Sequence, residues 1–221
     1  MENLASYIDH TLLKPEASEA QIRQLCKEAR EYEFFSVCVN SSYVPLCKEL
    51  LSGSNVKVCA VVGFPLGAMS AEAKAFETKW CVDHGASEID MVLHIGALKE
   101  GRKDYVREDI RKVVESAQGR TVKVILETSL LTRDEKILGC ELSKEANAHF
   151  VKTSTGFGGG GATIEDVKLM KETVGDALQV KASGGVRGKA TAEAMIAAGA
   201  TRLGTSSGIQ LVQDQVATGA Y

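Results

Sequence analysis

Gly85-Ala-Ser-Glu-Ile-Asp90 recurs in layout as Asn147-Ala-His-Phe-Val-Lys152 and again as Gly199-Ala-Thr-Arg-Leu-Gly204. Each stretch opens where a helix stops, on a residue that tolerates a left-handed backbone, then passes through Ala into a short strand. Asp90, Lys152 and Gly204 stand at the same offset. Outward from these three stretches, short β-branched runs alternate with amphipathic segments along the whole chain. Strands are predicted at 8–12, 36–39, 56–64, 88–93, 122–127, 149–153, 178–182 and 202–204. Several are almost continuously apolar, as in Val58-Cys-Ala-Val-Val62, which suits strands buried on both faces. Between them, Ile22, Leu25, Cys26 and Ala29 keep the i, i+3, i+4, i+7 spacing of a helix with one buried face. Ser18-Glu-Ala-Gln21 and Thr132-Arg-Asp-Glu135 have the spacing of capping boxes at two helix starts. Such alternation implies a parallel sheet with right-handed crossovers. Repeated βα units that close on themselves make a single-domain (β/α)8 TIM barrel, expected to fill 1–221 with a C-terminal helix and tail over about 208–221. An open doubly wound sheet is the alternative.

Composition excludes several classes. The 221 residues are 44% hydrophobic and 25% charged, enough apolar material for one well-packed domain. Lys and Arg number 26 against 29 Asp and Glu, a net charge of −3 without a basic patch, which argues against a nucleic-acid partner. No apolar stretch approaches the roughly 20 residues of a membrane span. The opening Met-Glu-Asn-Leu lacks the basic end and apolar core of a signal peptide. Cys26, Cys38, Cys47, Cys59, Cys81 and Cys140 are scattered without a C-x-x-C pair, mostly among apolar neighbours. They read as free thiols of a reducing, cytoplasmic compartment.

In a (β/α)8 barrel, chemistry sits at the C-terminal ends of the strands. Asp90, Glu127, Lys152 and Lys181 lie at or near such ends. One alone reads as a snorkelling side chain. Four together point to a site, because Lys, Glu and Asp are rarely buried without partners. Pleat alternation puts Phe150 and Lys152 on one strand face, Val151 and Thr153 on the other. Val180 and Lys181 likewise oppose each other, so both lysines can enter the barrel mouth. A second ammonium beside Lys152 penalises its charged form and frees the neutral amine that attacks a carbonyl. Asp90 suits proton transfer to the substrate, directly or through a water. The predicted chemistry is a Schiff-base aldolase acting on a small phosphosugar.

Two glycine-rich loops predict where the phosphate binds. Ser183-Gly-Gly-Val-Arg-Gly188 follows the seventh strand and Gly204-Thr-Ser-Ser-Gly208 the eighth, the usual anion-holding loops of a barrel. Gly156-Phe-Gly-Gly-Gly-Gly161 formally matches the dinucleotide pattern G-x-G-x-x-G between a strand and a helix. It lies late in the chain, and Asp176 is a poor ribose-binding acid, so it reads as a phosphate or substrate loop instead. No metal is expected: His10, His84, His94 and His149 show no ligand spacing. His84 and His149 read as structural, whereas His10 and His94 fall near the predicted mouth and stay open.

Ile8-Asp-His-Thr-Leu-Leu-Lys14, Ser36-Val-Cys-Val-Asn40, Gly63-Phe-Pro-Leu-Gly67, Glu88-Ile-Asp-Met-Val92, Phe150-Val-Lys-Thr-Ser-Thr-Gly-Phe157 and Val180-Lys-Ala-Ser-Gly-Gly-Val-Arg187 occur in order over nearly the whole chain. In these motifs the chain resembles the deoxyribose-phosphate aldolases. The resemblance implies a cofactor-independent class I aldolase on a (β/α)8 barrel. Such an enzyme reversibly cleaves 2-deoxy-D-ribose 5-phosphate to D-glyceraldehyde 3-phosphate and acetaldehyde. It also implies Lys152 as the Schiff-base residue, Lys181 as the second lysine that tunes it, and Asp90 as proton donor and acceptor. Gly156, Gly184, Gly185, Gly204, Ser206 and Ser207 would hold the phosphate; Asp9, Cys38 and Thr155 would lie near the substrate; Glu127 would support. Two departures stand out. His94 replaces the family's usual Asn and is expected to bring a titrating group near the site. The all-glycine run 158–161 is expected to be more mobile and to grip phosphate less firmly. Tyr221 reads as a loose terminus, with a phenol folded over the mouth as the alternative. A homodimer is the default assembly. Two other readings stand beside the aldolase: a non-catalytic phosphosugar-binding barrel and a nicotinamide-dependent oxidoreductase.

Overall fold

The computed structural model describes residues 3–215. Eight strands run β1 (Ile8–Leu12), β2 (Ser36–Val39), β3 (Lys57–Val62), β4 (Glu88–Val92), β5 (Thr121–Ile125), β6 (Phe150–Lys152), β7 (Gln179–Ser183) and β8 (Arg202–Thr205). All pair in parallel, each with its sequence neighbour. The β1–β8 pairing, Asp9 opposite Gly204, closes the barrel and removes the open-sheet alternative. Helices α1 (Glu19–Glu31), α2 (Val44–Leu50), α3 (Ala71–Asp83), α4 (Ile95–Lys99), α5 (Lys103–Ser116), α6 (Arg133–Glu145), α7 (Ile164–Val174), α8 (Lys189–Ala197) and α9 (Gly208–Val212) link the strands or follow the last. Of the helix and tail expected over 208–221, α9 is present; Tyr221 lies outside the described residues.

Both predicted capping boxes form, Ser18 with Gln21 and Thr132 with Glu135, each satisfying two N–H groups that a helix start leaves orphaned. The three repeat openings adopt positive φ just past their helices: Gly85 at 112°, Asn147 at 58° and Gly199 at 114°. That left-handed residue turns the chain back toward the sheet, which is why the layout repeats. β5 ends two residues before its predicted limit. Glu127 there takes φ 58° and starts the short 3-10 turn Thr128–Leu130.

Alternation along each strand sorts the side chains into two environments. Val37, Val39, Ala60, Ile89, Met91, Val124, Val151, Val180 and Leu203 face the helices in one large apolar core. Inside the barrel only a small apolar cluster forms, from Leu13, Cys38, Cys59 and Val61 against Phe64. Much of the remaining interior is ionic, with the buried Phe150 ring beside Lys123 and Arg202. Outside the barrel, Lys74 of α3 donates to Asp109 of α5 at 2.6 Å and to the Val92 carbonyl at 2.9 Å, all buried.

Candidate active site

Lys152 and Lys181 are partners in register on β6 and β7, so their side chains enter the barrel side by side. Both ammonium groups donate to one atom, Asp90 Oδ2, each at 2.8 Å. The other oxygen, Oδ1, accepts from Lys123 at 2.7 Å and from the Cys59 thiol at 3.1 Å. Lys181 also donates to Asp9. Asp9 Oδ1 accepts from Ser36 at 2.7 Å and Arg202 at 2.9 Å. Glu88 completes the set, with Arg202 at 3.0 Å and Lys123 at 2.6 Å. Asp9, Asp90, Lys123 and Lys181 are fully buried, and Lys152 is only 2% exposed.

Burial drives carboxyls up and ammoniums down, and here the opposite charges outweigh it. Burial raises Asp90, yet the ammoniums of Lys123, Lys152 and Lys181 hold it well below the usual carboxylate range. Asp9 is likewise depressed, burial being overcome by Lys181, Lys123 and Arg202. Lys181 stays well above its ordinary value because Asp9 and Asp90 overcome its burial, and Lys123 is raised mainly by Asp90. Burial, the Cys38 contact and the Asp90 charge keep the Cys59 thiol protonated, whereas its hydrogen bond to Cys38 lowers that thiol. Removing seven charged side chains from water is costly, and well-packed apolar residues commonly replace such groups without loss of stability. The network is therefore better explained by chemistry than by folding.

Beside this cluster, Gly185, Val186, Arg187, Gly204, Thr205, Ser206 and Ser207 line a recess between the β7 and β8 loops. It opens beside the start of α8, whose N-cap, Gly188, offers no capping side chain. No N-cap side chain satisfies the helix's first N–H groups, and an uncapped helix start suits an anion. Of the predicted phosphate residues, Gly185, Gly204, Ser206 and Ser207 meet here. Gly184, packed against Gly161, and Gly156, on the β6 loop, do not line it.

The all-glycine run has a packing reason that the sequence did not disclose. A Cβ on Gly158 would sit 2.6 Å from Glu127, one on Gly160 2.4 Å from Ser129, and one on Gly161 2.5 Å from the Gly184 carbonyl. The following Ala162 N–H donates to the carbonyls of Ser183 and Gly184 at 3.1 and 2.9 Å. The run is wedged between the β5 and β7 loops. Glu127 stays out of the ionic cluster and accepts the Thr155 hydroxyl and N–H instead. Thr155 and Glu127, with Pro65, Leu66, Ile95, Leu130, Phe157 and Gly158, line a more apolar pocket at the same end.

The histidines fall elsewhere. His94 Nδ1 accepts the Ala97 N–H at 3.1 Å and so caps α4, its ring edge-on to Tyr105. His10 contacts Glu28 at 2.7 Å and Phe34 on the outer side of β1. His84 stacks on Trp80, and His149 accepts the Val122 N–H at 3.1 Å. Cys38, Cys59 and Asp90 place their ligand atoms within 4.8 Å of one another, but three ammoniums already occupy that carboxylate.

Sequence reasoning passed over Lys123, Glu88, Arg202, Ser36, Cys59 and Arg187. Lys123 was within reach, since its pleat opposes Val122 and Val124 and places it inside. Glu88 and Arg202 begin their strands, where charge ordinarily means solvent. Here the barrel floor is closed, with the Arg202 guanidinium 3.3 Å from the centre of the Phe35 ring.

A family model described as DeoC/LacD family aldolase matches residues 4–214. The chain is similar to the deoxyribose-phosphate aldolase of Bdellovibrio bacteriovorus, 64% identical over 218 residues that cover 99% of each chain. Its identity to the deoxyribose-phosphate aldolase of Staphylococcus epidermidis is 59% over 211 residues, 96% of each. A tetrameric deoxyribose phosphate aldolase structure from Aeropyrum pernix aligns with a TM-score of 0.89 at 35% identity, covering 95% of this chain and 89% of that one. With matches that run from the first strand past the last, the chain belongs to the DeoC/LacD family of aldolases.

Proposed function

We propose that the protein is a class I aldolase that reversibly cleaves 2-deoxy-D-ribose 5-phosphate to D-glyceraldehyde 3-phosphate and acetaldehyde through a Schiff base on Lys152. The observation that carries this reading is the pair of lysines on one oxygen of Asp90. Losing a proton from Lys181 would leave Asp9 and Asp90 short of a partner, whereas Lys152 pairs with Asp90 alone among the described residues. Lys152 is therefore the amine that attacks. It adds to the C1 aldehyde, and loss of water gives an iminium. As the C3 hydroxyl gives up its proton, the C2–C3 bond breaks and its electron pair passes into the iminium, leaving an enamine and releasing D-glyceraldehyde 3-phosphate. Protonation at C2 and hydrolysis then free acetaldehyde and the amine. Asp90, with Lys181 beside it, moves these protons.

Support for the phosphosugar comes from the recess of Gly185, Arg187, Gly204, Ser206 and Ser207 at the open N-terminus of α8. Gly184 packs against Gly161 and Gly156 belongs to the β6 loop; Asp9 pairs with Lys181, Cys38 lies beside Cys59 and Asp90, and Thr155 bonds to Glu127 in the adjoining pocket. Reduction with borohydride in the presence of acetaldehyde tests the nucleophile. A two-carbon adduct on the Lys152 peptide is expected, absent in Lys152→Met; an adduct on another lysine would refute the assignment.

The six free, buried thiols support a reducing, cytoplasmic setting. A homodimer is proposed from α3, where Phe76 is 74% exposed beside Trp80 and a shallow apolar recess with Ser41 and Ser42. Apolar surface of that kind usually meets a partner. Light scattering is expected to give a mass above that of one chain, and Phe76→Glu to shift it to the monomer. A wild type that is monomeric at micromolar concentration would remove the proposal.

A further inference from the structure

We propose that Lys123, which the reaction above does not use, is a positioning residue that keeps Lys152 as the spare cation of an otherwise balanced ring. The inference rests on the reading of Lys152 as nucleophile. The ring is traced by contacts: Asp9 to Arg202, Arg202 to Glu88, Glu88 to Lys123, Lys123 to Asp90, Asp90 to Lys181, and Lys181 back to Asp9. It holds three carboxylates and three cations in alternation, each touching at least two of opposite sign, with Lys123 also 3.9 Å from Asp9 across the ring. The ring is buried, with Glu88 and Arg202 only 5% and 6% exposed, so its balance comes chiefly from its own members.

Lys152 joins this ring from outside, among the described residues through Asp90 Oδ2 alone. Its ammonium is one positive charge more than the carboxylates can match. Deprotonating Lys123, Lys181 or Arg202 would break the alternation, whereas deprotonating Lys152 leaves every ring contact intact. Lys123 is essential to that difference. By occupying Oδ1 together with the Cys59 thiol, it fills the far side of Asp90 and leaves Oδ2 to face the two reacting lysines. The groups around Lys152 come from every other strand: Asp9 on β1, Cys38 on β2, Cys59 on β3, Glu88 and Asp90 on β4, Lys123 on β5, Lys181 on β7 and Arg202 on β8. Among them the thiols add no charge to the count while protonated.

Charge-changing variants test this with opposite signs. In Lys123→Met, three carboxylates face two cations, and Lys152 is recruited as the third. The pH midpoint of acetaldehyde-dependent borohydride trapping on Lys152 is expected to rise by at least about one unit, with at least a tenfold loss of kcat at pH 7 that is recovered at higher pH. Glu88→Gln removes a carboxylate of the same shape and is expected to move the midpoint down. The double variant Glu88→Gln/Lys123→Met removes one charge of each sign and is expected to restore it toward wild type. A merely structural role would lower activity in all three without these directed shifts. Unchanged midpoints, shifts of one sign, or a double variant as displaced as Lys123→Met would overturn the inference. Should Lys123→Met not fold, the isosteric Glu88→Gln decides alone: its midpoint must fall. Wild-type enzyme that traps no adduct on Lys152 would instead defeat the underlying reading.

Discussion

At the scale of single residues, Asp90 and His94 stand four positions apart on the same strand and its exit and do unrelated work. Asp90 points inward and gathers three ammoniums; His94 lies beyond the strand end and closes a helix turn. Side-chain type favoured both as titrating site groups, and only direction separated them. The cap reading makes a prediction. His94→Asn supplies another good N-cap and is expected to keep stability within about 0.5 kcal/mol and leave the pH–rate profile unmoved. His94→Ala loses the acceptor and is expected to cost about 1 kcal/mol in urea unfolding. A profile that loses an ionisation in His94→Asn would return His94 to the site. Lys123 shows the converse, a residue overlooked because charge within an apolar strand was weighed only at strand ends.

At the scale of elements, the loops after β5, β6 and β7 act as one stack. Gly161 touches the backbone of Gly184, and Gly184 adjoins the recess where the phosphate is proposed to bind. A methyl at Gly161 has no flexible side chain to displace, only backbone, the Gly184 carbonyl and the Gly185 nitrogen. Gly161→Ala is therefore expected to push the β7 loop aside and raise KM for the phosphorylated substrate, with a smaller effect on kcat. The preference for deoxyribose 5-phosphate over deoxyribose should fall on the order of ten- to a hundredfold, since displacements near 1 Å carry losses of that size. An unchanged preference would separate the glycine run from phosphate binding. Strand positions, capping boxes and helix stops were legible beforehand because they depend on residues a few positions apart. This wedging was not, because it joins loops whose contact exists only once the barrel has closed.

At the scale of the whole molecule, the ionic ring links stability to pH. Asp9 and Asp90 have depressed values in the fold, so their contribution is complete above the ordinary carboxylate value near 3.8 and is lost as pH falls through the folded values. Lys123 and Lys181 have raised values, so theirs is complete below about 10.5 and lost only as pH rises through the folded values. The ring's contribution should accordingly be level between about pH 5 and pH 9. Urea midpoints measured across that range are expected to show a plateau with an acid limb below about pH 4, and a steady slope through neutrality would contradict the assignment. The sequence by itself determined the (β/α)8 alternation and singled out Lys152, Lys181 and Asp90, because periodicity, caps and pleat direction are local properties. Only the tertiary structure decided which charges balance. Asp9 and Arg202 stand near opposite ends of the chain and meet because β1 pairs with β8, and a Coulomb interaction depends on distance in space.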